Sequence, residues 1–397
     1  MNPTLRFGAV GFGLIAVTYG FARFAFGLFL PQISADLALG PALAGLISGG
    51  AFLAYCVAIL ASAALTERIG PRAVAVTAAL VAGIGMVGIA AAPGAIPLAG
   101  AVMLAGSSTG LASPPMAAAV ARRVAPAGRD ATNTWINAGT SAGVALSGPI
   151  ALALGAEWRF AFLGFALAAF ALALAAARVV PAGGGRMAET AGLTGILNGG
   201  IARLVAASFL TGAASTAIWS FGGELAAIRL GWGTEGTGAL WVGIGAAGIA
   251  GAFAGRLVAR FGIDPVHRAF LALMAAGILG VGAEFASPAT AIAGGALFGA
   301  AYVMLTGIYL VWGVTALPDR PATGLTVAFL TLAIGQTVGA PLFGLILESL
   351  GPDTAVAAFA ALGLGGALAR ADRSAPAVRR RSARFNPRAT PCGNQSP

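Results

Sequence analysis

The sequence contains no lysine and few charged residues of any kind. Only 9% of its 397 residues are Asp, Glu, Lys or Arg, whereas a soluble globular protein carries about 25%. A chain with so little charge cannot cover itself with a water-compatible surface, which excludes a soluble enzyme. The 58% of hydrophobic residues instead indicates many membrane spans, each of which needs about 20 apolar residues.

Cysteine and histidine are nearly absent as well. Cys56 lies in an apolar run and Cys392 in the polar C-terminal segment, so no disulfide framework is expected. The single histidine, His267, falls in the predicted inner loop between the eighth and ninth spans. No residues have the spacing of a metal site, and no Ser/His/Asp or Cys/His combination indicates a nucleophile. The sequence therefore predicts no metal, no cofactor and no enzymatic activity.

The apolar runs form two sets of six, and each run is long enough for a helical span. Their alanine and glycine content and the lack of an alternating pattern favour helices over a barrel. The predicted fold is an all-α integral membrane protein of twelve transmembrane helices. We expect an N-terminal half at 1–180, a cytoplasmic linker at 181–200, a C-terminal half at 201–369 and a disordered basic tail at 370–397. The runs lie at residues 8–30, 42–65, 73–92, 97–121, 131–155, 159–180, 201–223, 236–258, 268–286, 289–316, 323–347 and 353–369.

Arginine alone supplies the positive charge, and its position predicts the orientation of the chain. The 23 basic residues outnumber the 13 acids, but they flank the apolar runs, which favours membrane topology over a nucleic-acid partner. With the N-terminus inside, 20 arginines lie on the cytoplasmic side, Arg159 and Arg229 lie outside, and Arg23 lies within the first helix. We therefore expect an integral protein of a bacterial inner membrane, with both termini in the cytoplasm. Membrane lipid is an expected partner.

The chain repeats itself at a constant offset of 192 residues. Leu65, Arg68 and Gly70 recur as Leu257, Arg260 and Gly262. A constant offset indicates two six-helix halves related by an axis along the membrane normal, which is one of the repeat types of transporters.

The loop after the second span carries the most specific motif. Residues 63–72 read Ala-Ala-Leu-Thr-Glu-Arg-Ile-Gly-Pro-Arg and resemble the signature loop of the major facilitator superfamily, with glutamate in place of aspartate. A short loop with a carboxylate beside arginines can hold helix ends together, and glycine permits the tight turn. We expect a conformational latch, whose residues are Glu67, Arg68, Gly70, Arg72, Arg260 and Gly262.

The resemblance covers residues 8–369 and implies a secondary transporter that moves a small solute by alternating access. The glycines and proline of the fifth span, from Gly139 to Pro149, resemble a motif of the family's exporters. Efflux of drug-like or amphipathic compounds is therefore the alternative, and a non-transporting membrane sensor or enzyme is the alternative of another class. We expect a monomer that binds a small-molecule substrate and no nucleic acid.

Arg23 is the only charge deep in a span, and the substrate class depends on it. A guanidinium inside the bilayer costs about 2.5–3.5 kcal/mol on insertion scales and almost always faces the bundle interior or a wet cavity. Arg23 is therefore predicted to bind an organic anion, whereas a purely structural arginine would bond to helix-end carbonyls. The full set of predicted substrate-binding residues is Tyr19, Arg23, Asn137, Ser215, Trp219, Tyr302, Tyr309 and Gln336.

Deep carboxylates are lacking, although proton transfer across a membrane usually employs an intramembrane acid or histidine. Glu224, at the outer end of the seventh span, is the best remaining candidate for a proton site.

Overall fold

The structure, a computed structural model, describes residues 3–155, 157–183 and 199–371. Most of the predicted linker at 181–200 and nearly all of the predicted tail at 370–397 lie outside these residues. Within them the chain is helical almost throughout, because its apolar runs contain no strand-like alternation and every backbone polar group in lipid needs an internal partner.

Twelve helices run up and down, as the apolar runs predict. Nine of the described helical segments are long and apolar enough to cross a membrane; two of these, of 51 and 46 residues, contain two helices each, and the more polar α5 is the twelfth. The N-terminal six are α1 (Pro3–Ile15, Ala16–Phe24 and Ala25–Leu37), α2 (41–69), α3 (71–91), α4 (Ala95–Arg123), α5 (Arg129–Leu154) and α6 (Trp158–Val179). The C-terminal six are α7 (Gly199–Trp219, extended by a short helix α7′, Gly222–Leu230), α8 (Thr234–Phe261), α9 (Ile263–Gly282), α10 (Pro288–Ala316), α11 (321–350) and α12 (352–365, then Gly366–Leu368).

The two copies of the repeated loop have the same backbone conformation. Gly70 has φ 86° and ψ 161° between α2 and α3, and Gly262 has φ 84° and ψ 166° between α8 and α9. Positive φ is open to glycine and strained for other residues, so each helix pair turns without a longer loop. The constant offset of 192 residues thus places the same turn in both halves.

The last span is the shortest, as its apolar run predicts. Residues 352–368 are helical and reach about 25 Å at 1.5 Å per residue, which is slightly less than a typical hydrocarbon core of about 30 Å.

Hydrogen bonds between the two halves close one face of the bundle. We name the face at which residues 3 and 371 lie the inner face, and the opposite face the outer face. At the outer face the Ala42 N–H donates to Glu348 Oε2 at 2.9 Å, and the Ser48 and Ser220 hydroxyls lie 2.6 Å apart. Both contacts join an N-terminal helix to a C-terminal one, so the structure has a closed outer face.

At the inner face, described hydrogen bonds stay within one half. Arg72 Nε donates to the Val180 carbonyl at 2.7 Å, and Arg268 Nε donates to the Ala367 carbonyl at 3.3 Å. These arginines cap helix ends of their own half, where unpaired carbonyls attract cations.

Candidate functional site

The site is built around the middle of α1, where the helix widens. Residues Ala16–Phe24 form a π-helix, a form that is rare and frequent at functional sites. Thr18 Oγ1 bonds to the Leu14 carbonyl at 2.8 Å, and such back-bonding bends helices. Gly20 allows α5 to come very close, because a Cβ on Gly20 would lie 2.3 Å from the Gly143 carbonyl carbon.

Arg23 lies at the end of this widened stretch and is only 8% exposed. Its Nη2 donates to Gln336 Oε1 on α11 at 2.6 Å. The Gln336 Nε2 in turn donates to Ser215 Oγ on α7 at 3.3 Å and to Tyr302 Oη on α10 at 3.2 Å. A charge-assisted hydrogen bond is shorter and stronger than a neutral one, so Gln336 fixes the guanidinium between both halves.

Aromatic rings cover the guanidinium. Its central carbon lies 4.4 Å from the ring centroid of Tyr55 and 4.8 Å from that of Phe52, both on α2. The rings of Phe24 and Tyr19 are 5.2 and 5.8 Å away. A cation over an aromatic face gains about 0.5–2 kcal/mol, which offsets part of the cost of burying this charge.

Among the described residues, no carboxylate pairs with the Arg23 guanidinium. The ion pairs among the described residues are Arg159–Asp36 and Arg229–Asp353, so the Arg23 charge is met there by an amide and by rings rather than by a carboxylate. The buried Nε of Arg23 has no hydrogen-bond partner in the part of the chain that the structure describes. A buried donor without an acceptor is costly, and a bound anion would supply one.

Trp219 adds a second buried donor. Its ring stacks on Phe24 with centroids 4.0 Å apart and meets the Tyr302 ring edge-on at 5.2 Å. Its Nε1 is buried and also has no partner among the described residues. We refer to Arg23, Gln336, Ser215, Tyr302 and Trp219 as the Arg23 cluster.

Tyr309 belongs to a different group, although it shares a face of α10 with Tyr302. Its hydroxyl bonds to Thr211 Oγ1 on α7 and lies 3.0 Å from His267 Nε2 on α9. We refer to these three residues as the His267 cluster. The expectation that His267 lies in a loop is wrong: it is the fifth residue of α9 and is fully buried, because the helix begins directly after the Gly262 turn.

The remaining predicted residues lie apart from the Arg23 hydrogen-bond network. The Tyr19 hydroxyl bonds to Ser113 Oγ on α4 at 3.0 Å, although its ring still covers Arg23. Asn137 occupies an exposed position of α5. Glu224 is half-buried in α7′, beyond the membrane-spanning part of α7, and burial raises the pKa of its carboxyl.

The predicted latch residues lie at the inner face. Glu67 is half-buried, and Arg68 and Arg260 are exposed. Arg72 is tied to α6 through Val180. Gly70 and Gly262 form the turns described above. In this conformation Arg72 therefore braces its own half, and the exposed arginines remain accessible to other groups.

Sequence reasoning missed the rings of α2 and the direct contact between Arg23 and Gln336. Phe52 and Tyr55 are three apart and thus on one helix face, which is a signal that could have pointed to them. The contact joins residues 313 positions apart, and no local pattern reports such a pairing.

The family model described as Major Facilitator Superfamily matches residues 12–332. No curated protein sequence matches the chain.

Solved structures share the fold at low sequence identity. The nucleoside transporter NupG has a TM-score of 0.78 at 13% identity, covering 93% of this chain and 98% of that one. The xylose transporter XylE from E. coli, in a partially occluded inward-open conformation, has a TM-score of 0.73 at 15% identity, with 93% and 97% covered. A bacterial homologue of the human lysosomal transporter Spinster, inward-facing, has 0.69 at 15%, with 92% and 93% covered. These likenesses concern the fold alone.

Proposed function

The chain belongs to the major facilitator superfamily and is therefore a secondary transporter rather than an enzyme, and we propose that its substrate is a small organic anion. Arg23 carries this proposal, because it is a buried cation whose Nε has no acceptor within the described ranges. Its bonded partner is the neutral Gln336. A planar guanidinium meets a carboxylate with two parallel hydrogen bonds, and one of its edges still has a free donor.

The surroundings of Arg23 favour an anion with an aromatic or otherwise apolar body. The rings of Phe24, Phe52 and Tyr55 lie around the charge. The Trp219 Nε1 offers a second donor near them. Small-molecule sites are mostly apolar, with a few placed polar groups that fix orientation.

A screen with matched pairs tests the charge requirement. Benzoate, phenylacetate and succinate are compared with benzamide, phenylacetamide and succinamide in thermal unfolding of the purified protein. A ligand that binds only the folded state raises the unfolding temperature, so at least one carboxylate should stabilise more than its amide. Equal effects of all pairs, or stabilisation by xylose or uridine alone, would contradict the anion proposal.

Substitution of Arg23 tests its role directly. In the Arg23→Ala variant the affinity for the stabilising carboxylate should fall at least about a hundredfold, the roughly 3 kcal/mol of a lost charged hydrogen-bond pair. Arg23→Lys should recover part of it, since lysine keeps the charge but loses the planar fork. Calorimetric titration gives both values. Unchanged affinity in folded Arg23→Ala protein would favour the second candidate, efflux of amphipathic compounds, which the aromatic surroundings also support.

We further propose that both termini lie in the cytoplasm. We also propose that Glu67 and Arg68 act as a latch, which controls the change between conformations. They lie at the inner face, on a turn whose Gly70 fixes the ends of α2 and α3. Glu67→Gln should therefore slow carboxylate exchange by reconstituted protein while leaving the affinity from titration unchanged. The control is Ala259→Ser at the matching position of the second loop, which should exchange at the unaltered rate. A loss of affinity in Glu67→Gln would contradict a latch.

A further inference from the structure

His267 is the one histidine of the sequence, and the Arg23 cluster leaves it unused. It belongs to α9, where it is fully buried against α10 and close to α7. Its ring meets those of Tyr309 and Trp312 edge-on, with centroids 5.4 and 5.5 Å away. Its Nδ1 is buried and has no hydrogen-bond partner among the residues that the structure describes. Histidine is the side chain whose charge changes near neutral pH, so this unpaired nitrogen is a candidate proton site.

The hydrogen bonds around Tyr309 limit which imidazole nitrogen carries the proton. The phenol has one hydrogen and three partners within reach, which are Thr211 Oγ1, the Ala207 carbonyl at 3.2 Å and His267 Nε2 at 3.0 Å. If the hydrogen goes to Thr211 Oγ1 or to the carbonyl, which only accepts, His267 Nε2 must donate to the phenol oxygen, and the neutral ring has a bare lone pair on Nδ1. Nε2 can accept only if the phenol donates to it, and the neutral ring then carries its hydrogen on Nδ1.

The opposite tautomer fits worse. It would place an N–H on the buried Nδ1 with no acceptor, and an orphaned N–H is rarer and more costly than an unused lone pair. A doubly protonated ring has the same unpaired N–H and a buried charge in addition.

Charged neighbours do not remove this cost. Asp264 and Arg268 lie on the same helix and act on the ring electrostatically with opposite signs. The Asp264 carboxylate already accepts the Ala371 N–H at 2.7 Å, and Arg268 bonds to Ala367 beside it. From α10 the titratable group is Tyr309, and α7 presents the uncharged Thr211.

The His267 cluster is connected to the Arg23 cluster through two helices. Thr211 and Ser215 are four residues apart on α7, and Tyr302 and Tyr309 are seven apart on α10, so each pair shares a helix face. A shift of α7 or α10 that alters one cluster therefore also moves the partners of the other.

We propose that His267 is a proton-binding site coupled to the conformational cycle, and that the closed-outer-face conformation holds it neutral. Protonation is unfavourable in this conformation, because the new Nδ1–H has no acceptor there. A proton therefore shifts the population toward a conformation that gives Nδ1 an acceptor or water, by linkage between binding and conformation. The closed-outer-face population falls as pH falls, by at most about tenfold per pH unit for one proton. Proton binding by His267 does not depend on the proposed transport function. The further statement that the proton is a coupling ion rests on that function.

The tautomer is tested first, on the wild-type chain purified with a histidine-free tag. Since the sequence has one histidine, ¹⁵N-imidazole labelling gives a single ring spectrum in nanodiscs. At about pH 8 we expect hydrogen on Nε2 and a bare Nδ1. A spectrum with hydrogen on Nδ1 would overturn the proposal.

The coupling is tested with spin labels at the inner face. Ala131 on α5 and Ala259 on α8 are both exposed, and they take cysteine labels in a background of Cys56→Ala and Cys392→Ala. The distance distribution between the labels should change between about pH 8 and about pH 5. Its midpoint should coincide with the ring titration, and a pH-independent distribution or a separate midpoint would overturn the proposal without any substitution at His267.

His267→Gln provides the matched variant, because its amide still donates to Tyr309 and does not titrate. It should keep the alkaline distance distribution at both pH values. Glu224→Gln, which removes the acid that the sequence favours, should respond as the wild type does. A full pH response in His267→Gln, or its loss in Glu224→Gln alone, would assign the proton elsewhere.

Failure here is separable from failure of the proposed function. Carboxylate binding at fixed alkaline pH reports on Arg23 alone. Retained binding with no pH-dependent distance change would therefore contradict only the proton-site proposal. Lost carboxylate binding with an intact pH response would contradict only the proposal that the substrate is an organic anion.

Discussion

At the scale of single residues, the central feature is a buried cation that pairs with no carboxylate of the described residues. Gln336 and four aromatic rings hold the Arg23 guanidinium, so the charge is positioned without being neutralised. A buried ion that lacks its counter-ion is costly, and this cost falls when a ligand brings the opposite charge. Under the anion proposal, holding the cation with an amide leaves the charge available to a ligand.

The Gln336→Glu substitution tests this reasoning with a change of one group. The introduced carboxylate would lie at the 2.6 Å contact and pair with Arg23 internally, so the charge would no longer be available to a ligand. Gln336→Glu should therefore lower carboxylate affinity at least about tenfold, or about 1.4 kcal/mol, with no loss of thermal stability.

Calorimetric titration and thermal unfolding measure the two effects. Gln336→Met, which removes the hydrogen bond without adding charge, serves as the control and should weaken binding less. Equal affinity in Gln336→Glu and wild type would show that the anion does not meet Arg23.

At the scale of helices, an arginine caps a helix end at the outer face of each half and pairs with an acid. The helices that carry the arginine and the acid are exchanged between the two halves. In the N-terminal half Arg159 of α6 donates to the Ala90 carbonyl at 2.8 Å and pairs with Asp36 of α1. In the C-terminal half Arg229 of α7′ donates to the Gly282 carbonyl at 2.8 Å and pairs with Asp353 of α12.

The two carbonyls are 192 residues apart, so the arginines cap the same helix end from opposite neighbours. The N-terminal half has its arginine on its last helix and its acid on its first, and the C-terminal half has the reverse. The repeated backbone thus has the same capping interaction in both halves, although the charged residues have changed places.

Arg159→Ala should destabilise the protein more than Asp36→Ala. The arginine also donates to the Ala92 carbonyl at 2.9 Å, so its removal leaves two helix-end carbonyls unpaired, at about 1–3 kcal/mol. The Asp36 side chain is 47% exposed, and an exposed ion pair contributes about 0–1 kcal/mol. Thermal unfolding in detergent compares the two variants, and equal losses would show that the ion pair outweighs the capping.

At the scale of the whole molecule, the halves are joined at the outer face and at the Arg23 cluster. The bond between Arg23 and Gln336 crosses from α1 to α11, and the Ser48–Ser220 contact crosses from α2 to the end of α7. Substrate bound at Arg23 would touch both halves. This is the arrangement that alternating access requires of a site near the repeat interface.

The orientation of the molecule is tested by labelling from one side. In a background of Cys56→Ala and Cys392→Ala, Glu157→Cys lies exposed in an outer turn and Asp319→Cys lies exposed in an inner turn. A membrane-impermeant maleimide should label the first in intact spheroplasts and the second after permeabilisation only, because arginines concentrate on the inner side. The reverse pattern would place the termini outside the cytoplasm.

Much of the fold follows from the sequence alone. Twelve apolar runs have the length of membrane helices, and the repeated Gly70 and Gly262 mark the same turn in both halves, because positive φ is a local property. The depth of Arg23 is also local information, since the run around it is long and uncharged. These features depend on neighbours along the chain. The helices and the two turns agree with the structure, which also buries Arg23.

Only the tertiary structure decided which residues meet. It paired Arg23 with Gln336, separated Tyr309 from Tyr302, and buried His267, which the sequence placed in a loop. The physical reason is that an apolar helix shows little difference between its lipid-facing and protein-facing sides. Which side turns inward is then set by close approach between helices, as at Gly20 and Gly143, and that depends on residues far apart in the chain.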